Sequence, residues 1–193
     1  MVRSFLYCFP LSCYSFPMIK DILQRDDAVL RAKAKAVLHD EIGSAKITSL
    51  IKDMSVTMAG QKDGIAIAAP QIGVSLRVFV VNGNLLKQAD KEYTGEGGHL
   101  VFINPEITKK SRDKSEMEEG CLSVRWLYGK VIRSTRVTLR AYNEKGEKIE
   151  RGASGLLAQI FQHECDHLDG VLFIDKAKEV WEMSTEEIAD LRA

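Results

Sequence analysis

The chain has 193 residues, 45% of them hydrophobic and 28% charged, and its 27 basic and 27 acidic side chains give a formal net charge of zero. This composition is ordinary for a globular protein and excludes collagen-like and low-complexity chains. A zero net charge argues against a protein whose main task is to grip nucleic acid. No apolar run approaches the roughly 18 residues of a membrane span. We therefore expect neither direct DNA binding nor insertion into a membrane.

Residues 1–17 differ in composition from the rest of the chain. They carry one charge, at Arg3, and Pro10 interrupts the continuous apolar centre that a secretory signal needs. We interpret them as an N-terminal extension, either an in-frame addition before a natural start at Met18 or a targeting segment. The cysteines lack the dense spacing of a disulfide framework, so we expect a cytoplasmic location, or an organellar one if residues 1–17 are a targeting segment.

The first half of the remaining chain is predicted to contain two helices, a strand and a loop. Asp26–Asp27 can cap a helix that reaches about Val37. Ala45–Ala59 has apolar residues at the spacing of an amphipathic helix. The β-branched run Leu76–Val81 predicts a strand, and the polar, glycine-rich residues 83–98 predict a loop.

The second half is predicted to be mainly β-structure that ends in two helices. We predict strands at Leu100–Ile103, Glu106–Lys110 and Tyr128–Asn143, followed by a hairpin turn at 144–147. Ser154 can cap a long helix that ends at Leu168, and Ser184 with Glu187 forms a capping box for a last helix. These elements predict an α+β fold, with antiparallel or mixed β-sheets around a central helix and a C-terminal helix.

The central helix contains the sequence QHECDHLDG at 162–170, which has the HExxH pattern. His163 and His167 are four residues apart, so both imidazoles lie on one helix face and can bind one metal ion. Glu164 projects beside them as a candidate general base. Such a pair also occurs on exposed helix faces, but apolar neighbours indicate a buried helix, where unpaired imidazoles are costly. We therefore predict a metal site.

The third metal ligand is not decided by the helix itself. Catalytic metal sites usually have three protein ligands and one position for water. Cys121 in the segment EEGCLSV follows Gly120, which lets the backbone approach a ligand closely, and its thiolate would complete the set. A free cysteine is more often a small buried hydrophobic residue. The alternative ligands are acidic residues after His167, which would suit a zinc endopeptidase.

Three segments in this order, GIAIAAPQIG at 64–73, EEGCLSV at 118–124 and QHECDHLDG at 162–170, resemble the signature motifs of the peptide deformylases. The resemblance covers nearly all of residues 18–175. It implies a metal-dependent hydrolase that removes the N-formyl group from the N-terminal formylmethionine of newly made polypeptides and releases formate. It also implies that residues 18–193 form a single catalytic domain.

The resemblance assigns roles to particular residues. The implied metal ligands are Cys121, His163 and His167. Glu164 would transfer the proton, while the Gln71 side chain and the backbone N–H of Leu122 would stabilise the oxyanion. One divalent ion per chain is implied, Fe²⁺ in cells, with Zn²⁺, Ni²⁺ or Co²⁺ as alternatives in purified protein. The implied partners are N-formylmethionyl nascent peptides and, as a further candidate, the ribosome near its exit tunnel.

An apolar pocket for the methionine side chain is predicted beside the metal. Leu156 and Ile160 precede His163 by seven and three positions, so they lie on the metal-facing side of the helix. Extended backbone at 65 and 122 could hold the substrate as an added strand. The alternative is that these side chains simply fill the core. The candidate substrate-binding residues are Gly64, Ile65, Ala66, Met117, Gly120, Leu156 and Ile160.

Four residues depart from the family's pattern. Ala66 stands where glycine is usual, so its backbone would be strained if φ were positive. Arg125–Trp126 replace a common proline, and Trp126 could shape the outer substrate groove or merely cover apolar surface. Gln159 stands where an apolar residue is usual. These departures leave open a catalytically silent, metal-stabilised binding module.

Two further residues of the helix motif have expected partners. Asp166 points away from the metal and needs a cation, for which Arg133 is the candidate. Cys165 is expected to be a packed core thiol and not a fourth metal ligand.

Overall fold

The computed structural model describes residues 17–91, 94–95 and 97–192. The helices are α1 Ala28–Arg31, α2 Ala45–Ala59, α3 Gly83–Ala89, α4 Gly155–Leu168 and α5 Thr185–Arg192. The strands are β1 Ala66–Ala68, β2 Val78–Asn82, β3 His99–Lys110, β4 Lys114–Gly120, β5 Leu127–Ser134, β6 Arg136–Tyr142, β7 Lys148–Ser154 and β8 Glu179–Glu182. The predicted N-terminal extension lies, except for Pro17, outside the described residues.

The strands of the described chain form two antiparallel sheets. The larger sheet has the order β1-β2-β3-β6-β7, and the smaller has the order β4-β5-β8. Helix α4 contacts strands of both sheets. This arrangement confirms the predicted α+β fold, with a central helix and a C-terminal helix. Each helix within the described ranges is too short or too polar to cross a lipid bilayer.

The larger sheet separates two apolar cores because successive side chains of a strand point to opposite faces. Val78 and Val80 of β2 pack with Met54 of α2 on one face. Phe79 points the other way, and its ring lies 6.0 Å from that of Phe161 on α4. Large buried aromatic rings contribute much of the apolar area that stabilises such a core. Helix α4 is thereby fixed against the sheet along one side.

Helix α1 is shorter than predicted. Asp27 does cap it, since its carboxylate accepts from the backbone N–H of Val29 at 2.8 Å. The helix ends at Arg31 because the following residues make contacts outside it. The backbone N–H of Ala34 donates to the carbonyl of Leu168 at 2.9 Å.

Two predictions in the region 83–110 were wrong. Part of the predicted loop is helix α3, where the Asn82 side chain accepts from two backbone N–H groups and Leu86 is fully buried. The two predicted strands are one strand, β3, with a register shift after Ile103. Asn104 sits at this shift with φ of 51°, and its side-chain amide exchanges two 2.8 Å hydrogen bonds with the backbone of Val37. These hydrogen bonds stabilise an uncommon backbone conformation at Asn104, which lies between the two predicted strands.

Candidate metal centre and substrate cavity

Three potential metal ligands converge where β4 ends against the central helix. Cys121 directly follows β4, and α4 places His163 and His167 one turn apart. One potential ligand atom from each residue lies within 4.8 Å of the other two. We call Cys121, His163 and His167 together the donor group, meaning the side chains that could donate electron pairs to a metal ion. The Sγ of Cys121 is 3.1 Å from Nε2 of His167. Among the described residues, this is the group of three or more such side chains that could hold a metal ion.

The chemistry of these donors fits one metal ion. A thiolate and two imidazoles are ligands that zinc and other transition metals accept. Among the described residues, Glu164 Oε2 is buried without a hydrogen-bond partner. A buried polar atom in that state is costly unless something else in the site pairs with it. The carboxylate next to the donor group is therefore available to a solvent molecule or a reacting group.

A charged network lies behind the donor group. Glu119 Oε2 is 2.9 Å from Nδ1 of His163, so the other ring nitrogen of His163 is left for the metal. Arg133 donates two hydrogen bonds to Glu119, at 2.7 and 2.9 Å, and a third of 2.5 Å to Asp166. Lys176 also pairs with Asp166, at 2.6 Å. The predicted Asp166–Arg133 pair is confirmed, whereas the link to His163 through Glu119 was not foreseen.

The pKa values of the buried groups in and near the site are shifted in different directions. Burial by itself would raise the pKa of Glu119, but hydrogen bonds from Arg133 and His163 outweigh it and lower this pKa to about 2. Burial raises the pKa of Glu164 to about 7, which suits a group that accepts and returns protons near neutral pH. Burial also raises the pKa of the Cys165 thiol to about 12, and this side chain packs in the α4 core.

Gln71 is oriented by its own backbone neighbourhood. It lies in a 3-10 turn, Ala69–Ile72, directly after β1. The backbone N–H of Ala68 donates to its Oε1 at 2.8 Å, so the amide NH₂ group faces the other way. That NH₂ group is 3.1 Å from the hydroxyl of Ser123 and 3.6 Å from Sγ of Cys121. Gln71 thus presents a hydrogen-bond donor beside the proposed metal ligand Cys121.

A cavity opens in front of these residues. Of the predicted site residues, those on its wall are Ile65, Ala66, Gln71, Gly120, Cys121, Leu122, Leu156, Ile160, His163 and Glu164. Sequence reasoning did not anticipate Tyr128 or Met183, which also line it. Tyr128 lies within an ordinary alternating strand, and Met183 lies outside every motif, so neither carried a signal. The ring of Tyr128 covers Gly120, where a Cβ would lie 2.6 Å from its Cε1 atom.

Two predicted substrate-binding residues do not line this cavity. Met117 lies in β4, four residues before Cys121, and is not among the residues on the cavity wall. Gly64 is buried against the end of α2, where an added Cβ would lie 2.5 Å from the carbonyl oxygen of Met58. A small residue at 64 is therefore required for packing, and its role in substrate binding stays a prediction.

The departures from the family pattern have different consequences. Ala66 is in the extended strand β1 and is not among the residues with positive φ, so the condition for backbone strain is not met. Gln159 lines the cavity and donates to the carbonyl of Glu118 at 2.8 Å. Arg125 and Trp126 line the cavity as well, and Trp126 has φ of 68°.

A Cys-His-His donor group beside a buried glutamate, in a cavity with an apolar side, defines a metal-dependent hydrolase site. Comparisons with known proteins identify the family within this class. Residues 19–182 match the family model described as polypeptide deformylase. The chain therefore belongs to the peptide deformylase family.

Relatives and solved structures agree on this family. The chain is 48% identical to a peptide deformylase of Halothermothrix orenii over 81% of this chain and 92% of that protein. It is 41% identical to the chloroplastic/mitochondrial peptide deformylase 1A of Arabidopsis thaliana, over 82% of this chain and 61% of that protein. A class I type b peptide deformylase of Acinetobacter baumannii, solved with Met-Ala-Ser bound, is 33% identical with a TM-score of 0.74, covering 83% of this chain and 99% of that one. For the peptide deformylase of Thermotoga maritima the identity is 35% and the TM-score 0.72, covering 84% of this chain and 99% of that one.

Proposed function

We propose that this chain removes the formyl group from the N-terminal formylmethionine of new polypeptides, and that Cys121, His163 and His167 bind the metal for this reaction. The observation that carries the proposal is the convergence of the Cys121 sulfur with both imidazoles beside Oε2 of Glu164, which is buried without a hydrogen-bond partner. Membership of the peptide deformylase family supports the reaction type.

One divalent ion held by this group would polarise the formyl carbonyl and lower the pKa of bound water. We propose Fe²⁺ as the ion in cells, with Zn²⁺, Ni²⁺ or Co²⁺ in purified protein. A soft thiolate with two imidazoles suits all of these ions, and zinc binds more tightly than ferrous iron at a given site. A thiolate ligand can also be oxidised, so anaerobic preparation protects the site.

Glu164 is the proposed general base and acid. Its carboxylate is placed to accept a proton from the attacking water and to return it to the departing amine. A pKa raised to about 7 by burial is near the value at which such a group serves both steps. Glu164 is adjacent to His163 in α4 and is not part of the group formed by Cys121, His163 and His167.

Gln71 and Leu122 are the proposed oxyanion donors. The amide of Gln71 already points toward Cys121 because the N–H of Ala68 holds its oxygen. Leu122 directly follows Cys121 on the cavity wall, so its backbone N–H is close to the same place. A fixed pair of donors stabilises negative charge that develops on the formyl oxygen.

The cavity also supports the proposed substrate. Ile65, Leu156 and Ile160 give it an apolar side for the methionine side chain. Strand β1 is the edge of the larger sheet, so its outer backbone groups can pair with an extended peptide. We propose that the reaction takes place where formylated chains are made, in the bacterial cytoplasm or an organelle, near the ribosomal exit tunnel.

Release of formate tests the proposal. Anaerobically prepared, metal-loaded protein should release formate from formyl-Met-Ala-Ser, leave acetyl-Met-Ala-Ser intact and cleave no internal peptide bond. Cleavage of an internal bond would favour the endopeptidase alternative, although the donor group contains Cys121 and no acidic residue after His167. Binding of the formylated peptide without formate release would favour the silent binding module. Either result would contradict the proposal.

A further inference from the structure

The most specific feature of the cavity that the proposed reaction does not use is a bridge across its outer part. Arg125 follows the Cys121 segment, whereas Gln61 and Asp63 lie between α2 and β1. Nη1 of Arg125 donates to Asp63 at 2.6 Å, and Nη2 donates to Gln61 at 2.7 Å. The bridge joins the two chain segments that flank the cavity, and both Asp63 and Arg125 line it.

Several independent contacts hold the bridge in place. The Arg125 guanidinium lies 5.4 Å from the centre of the Trp126 ring, which is cation–π distance. The Gln24 side chain accepts from the backbone N–H of Arg125 and donates to the carbonyl of Leu122. The carbonyl of Trp126 accepts from the N–H of Met183 at 2.8 Å. Trp126 keeps its positive φ of 68° within this framework, and such backbone conformations concentrate at ligand-holding sites.

The guanidinium lines the cavity and retains N–H groups that the bridge does not use. It has five N–H donors, of which the contacts to Asp63 and Gln61 use two. Asp63 already balances its charge, so the remaining N–H groups suit a neutral carbonyl better than a second carboxylate. A peptide that leaves the metal site presents carbonyl groups along its main chain.

We propose that Arg125 is a specificity-determining residue that binds the main chain of the substrate beyond the formylated methionine. Asp63 and Gln61 are positioning residues that hold the guanidinium in place. This inference rests on the proposed function and adds to it the recognition of the residues that follow the methionine. It predicts that Arg125 lowers KM for peptide substrates and does not affect KM for a substrate that ends at the methionine.

The test compares formyl-Met-Ala-Ser amide with formyl-Met amide, both with metal-loaded protein. Arg125→Ala should raise KM for the longer substrate about 10-fold with kcat unchanged, since a hydrogen bond to a charged group of this kind is worth a factor of about 10 or more. For formyl-Met amide, kcat/KM should stay within about twofold of the unsubstituted protein. Asp63→Asn should change KM for the longer substrate in the same direction by less.

Matched variants separate this role from a structural one. Arg140→Ala removes an arginine from the exposed ion pair with Glu150 and should leave both substrates unaffected. Arg125→Lys keeps a charge but lacks the planar fork, so it should reproduce the length dependence even if Arg125→Ala fails to fold. Equal losses for both substrates in the Arg125 variants, or no loss for either, would overturn the inference. If the unsubstituted protein releases formate from neither substrate, the proposed function itself has failed.

Discussion

Glu119 accepts two hydrogen bonds from Arg133 while its Oε2 also contacts Nδ1 of His163 at 2.9 Å. The carboxylate therefore links a buried arginine to a proposed metal ligand. Partners of this kind fix the orientation of a ligating histidine and increase its basicity. Because hydrogen bonds from Arg133 and His163 lower the pKa of Glu119 to about 2, it remains an anion over the whole physiological pH range.

Replacement of Glu119 by glutamine should weaken both metal binding and the fold. We expect metal affinity to fall about 10- to 100-fold because His163 loses its anionic partner. The free energy of unfolding should fall by roughly 3 kcal/mol, since Arg133 would keep only Asp166 as a counter-ion. Metal titration and urea denaturation measure the two effects. Glu116→Gln, in the same strand but exposed and paired with Lys178 at 4.0 Å, is the matched control and should change neither quantity.

Removal of the proposed base should separate binding from chemistry. Glu164→Ala should retain one metal ion per chain and lose formate release by about 100- to 10,000-fold, as expected for a general base. Metal analysis together with the formate assay checks both parts. Loss of the metal in this variant would instead identify Glu164 as a ligand.

Gln71→Leu should affect turnover strongly and stability moderately. Loss of one oxyanion donor typically lowers kcat about 100- to 1000-fold. The backbone N–H of Ala68 would also lose its partner, so the free energy of unfolding should fall by about 1–3 kcal/mol. Metal content should not change. Gln159→Leu, another cavity-lining amide, is the control and should have only a small effect on kcat. An unaffected rate in Gln71→Leu would remove Gln71 from the mechanism.

The two described cysteines should differ in reactivity. Burial raises the pKa of Cys165 to about 12, so at pH 8 only about one molecule in ten thousand carries the thiolate that reacts with iodoacetamide. Cys121 lies on the cavity wall and should be labelled in the metal-free protein and protected once metal is bound. Peptide mapping by mass spectrometry distinguishes the sites. Native labelling of Cys165 at the rate of Cys121 would show that the thiol is not buried in the core.

The sequence was most informative where the pattern is local. The spacing of apolar residues predicted α2 with the bounds that the structure shows, Ala45–Ala59. The long helix that carries the histidine pair was also predicted, but the side chain of Ser154 makes no capping hydrogen bond. The helix begins at Gly155, whose φ of 56° turns the chain from β7 into the helix.

The sequence was least informative where a residue depends on a distant partner. Strand β4, with the sequence KSEMEEG, lacks apolar alternation and was not predicted. Glu119 is buried there only because Arg133, which lies on the neighbouring strand β5, neutralises it. Neither charged residue indicates burial by itself, since both types are usually exposed. The prediction of the cavity wall was incomplete for the same reason. Tyr128 and Met183 reach the wall through the pairing of β5 with β8, which Met183 directly follows.

We propose above all that the sulfur of Cys121 and the rings of His163 and His167 bind one metal ion. Substitution with Co²⁺ tests it most directly, because a thiolate ligand gives a sulfur-to-cobalt charge-transfer absorption that imidazole and carboxylate ligands do not. The account predicts one Co²⁺ per chain and this absorption in the unsubstituted protein and in Cys165→Ser, with its loss in Cys121→Ser. The same absorption in Cys121→Ser would contradict the account.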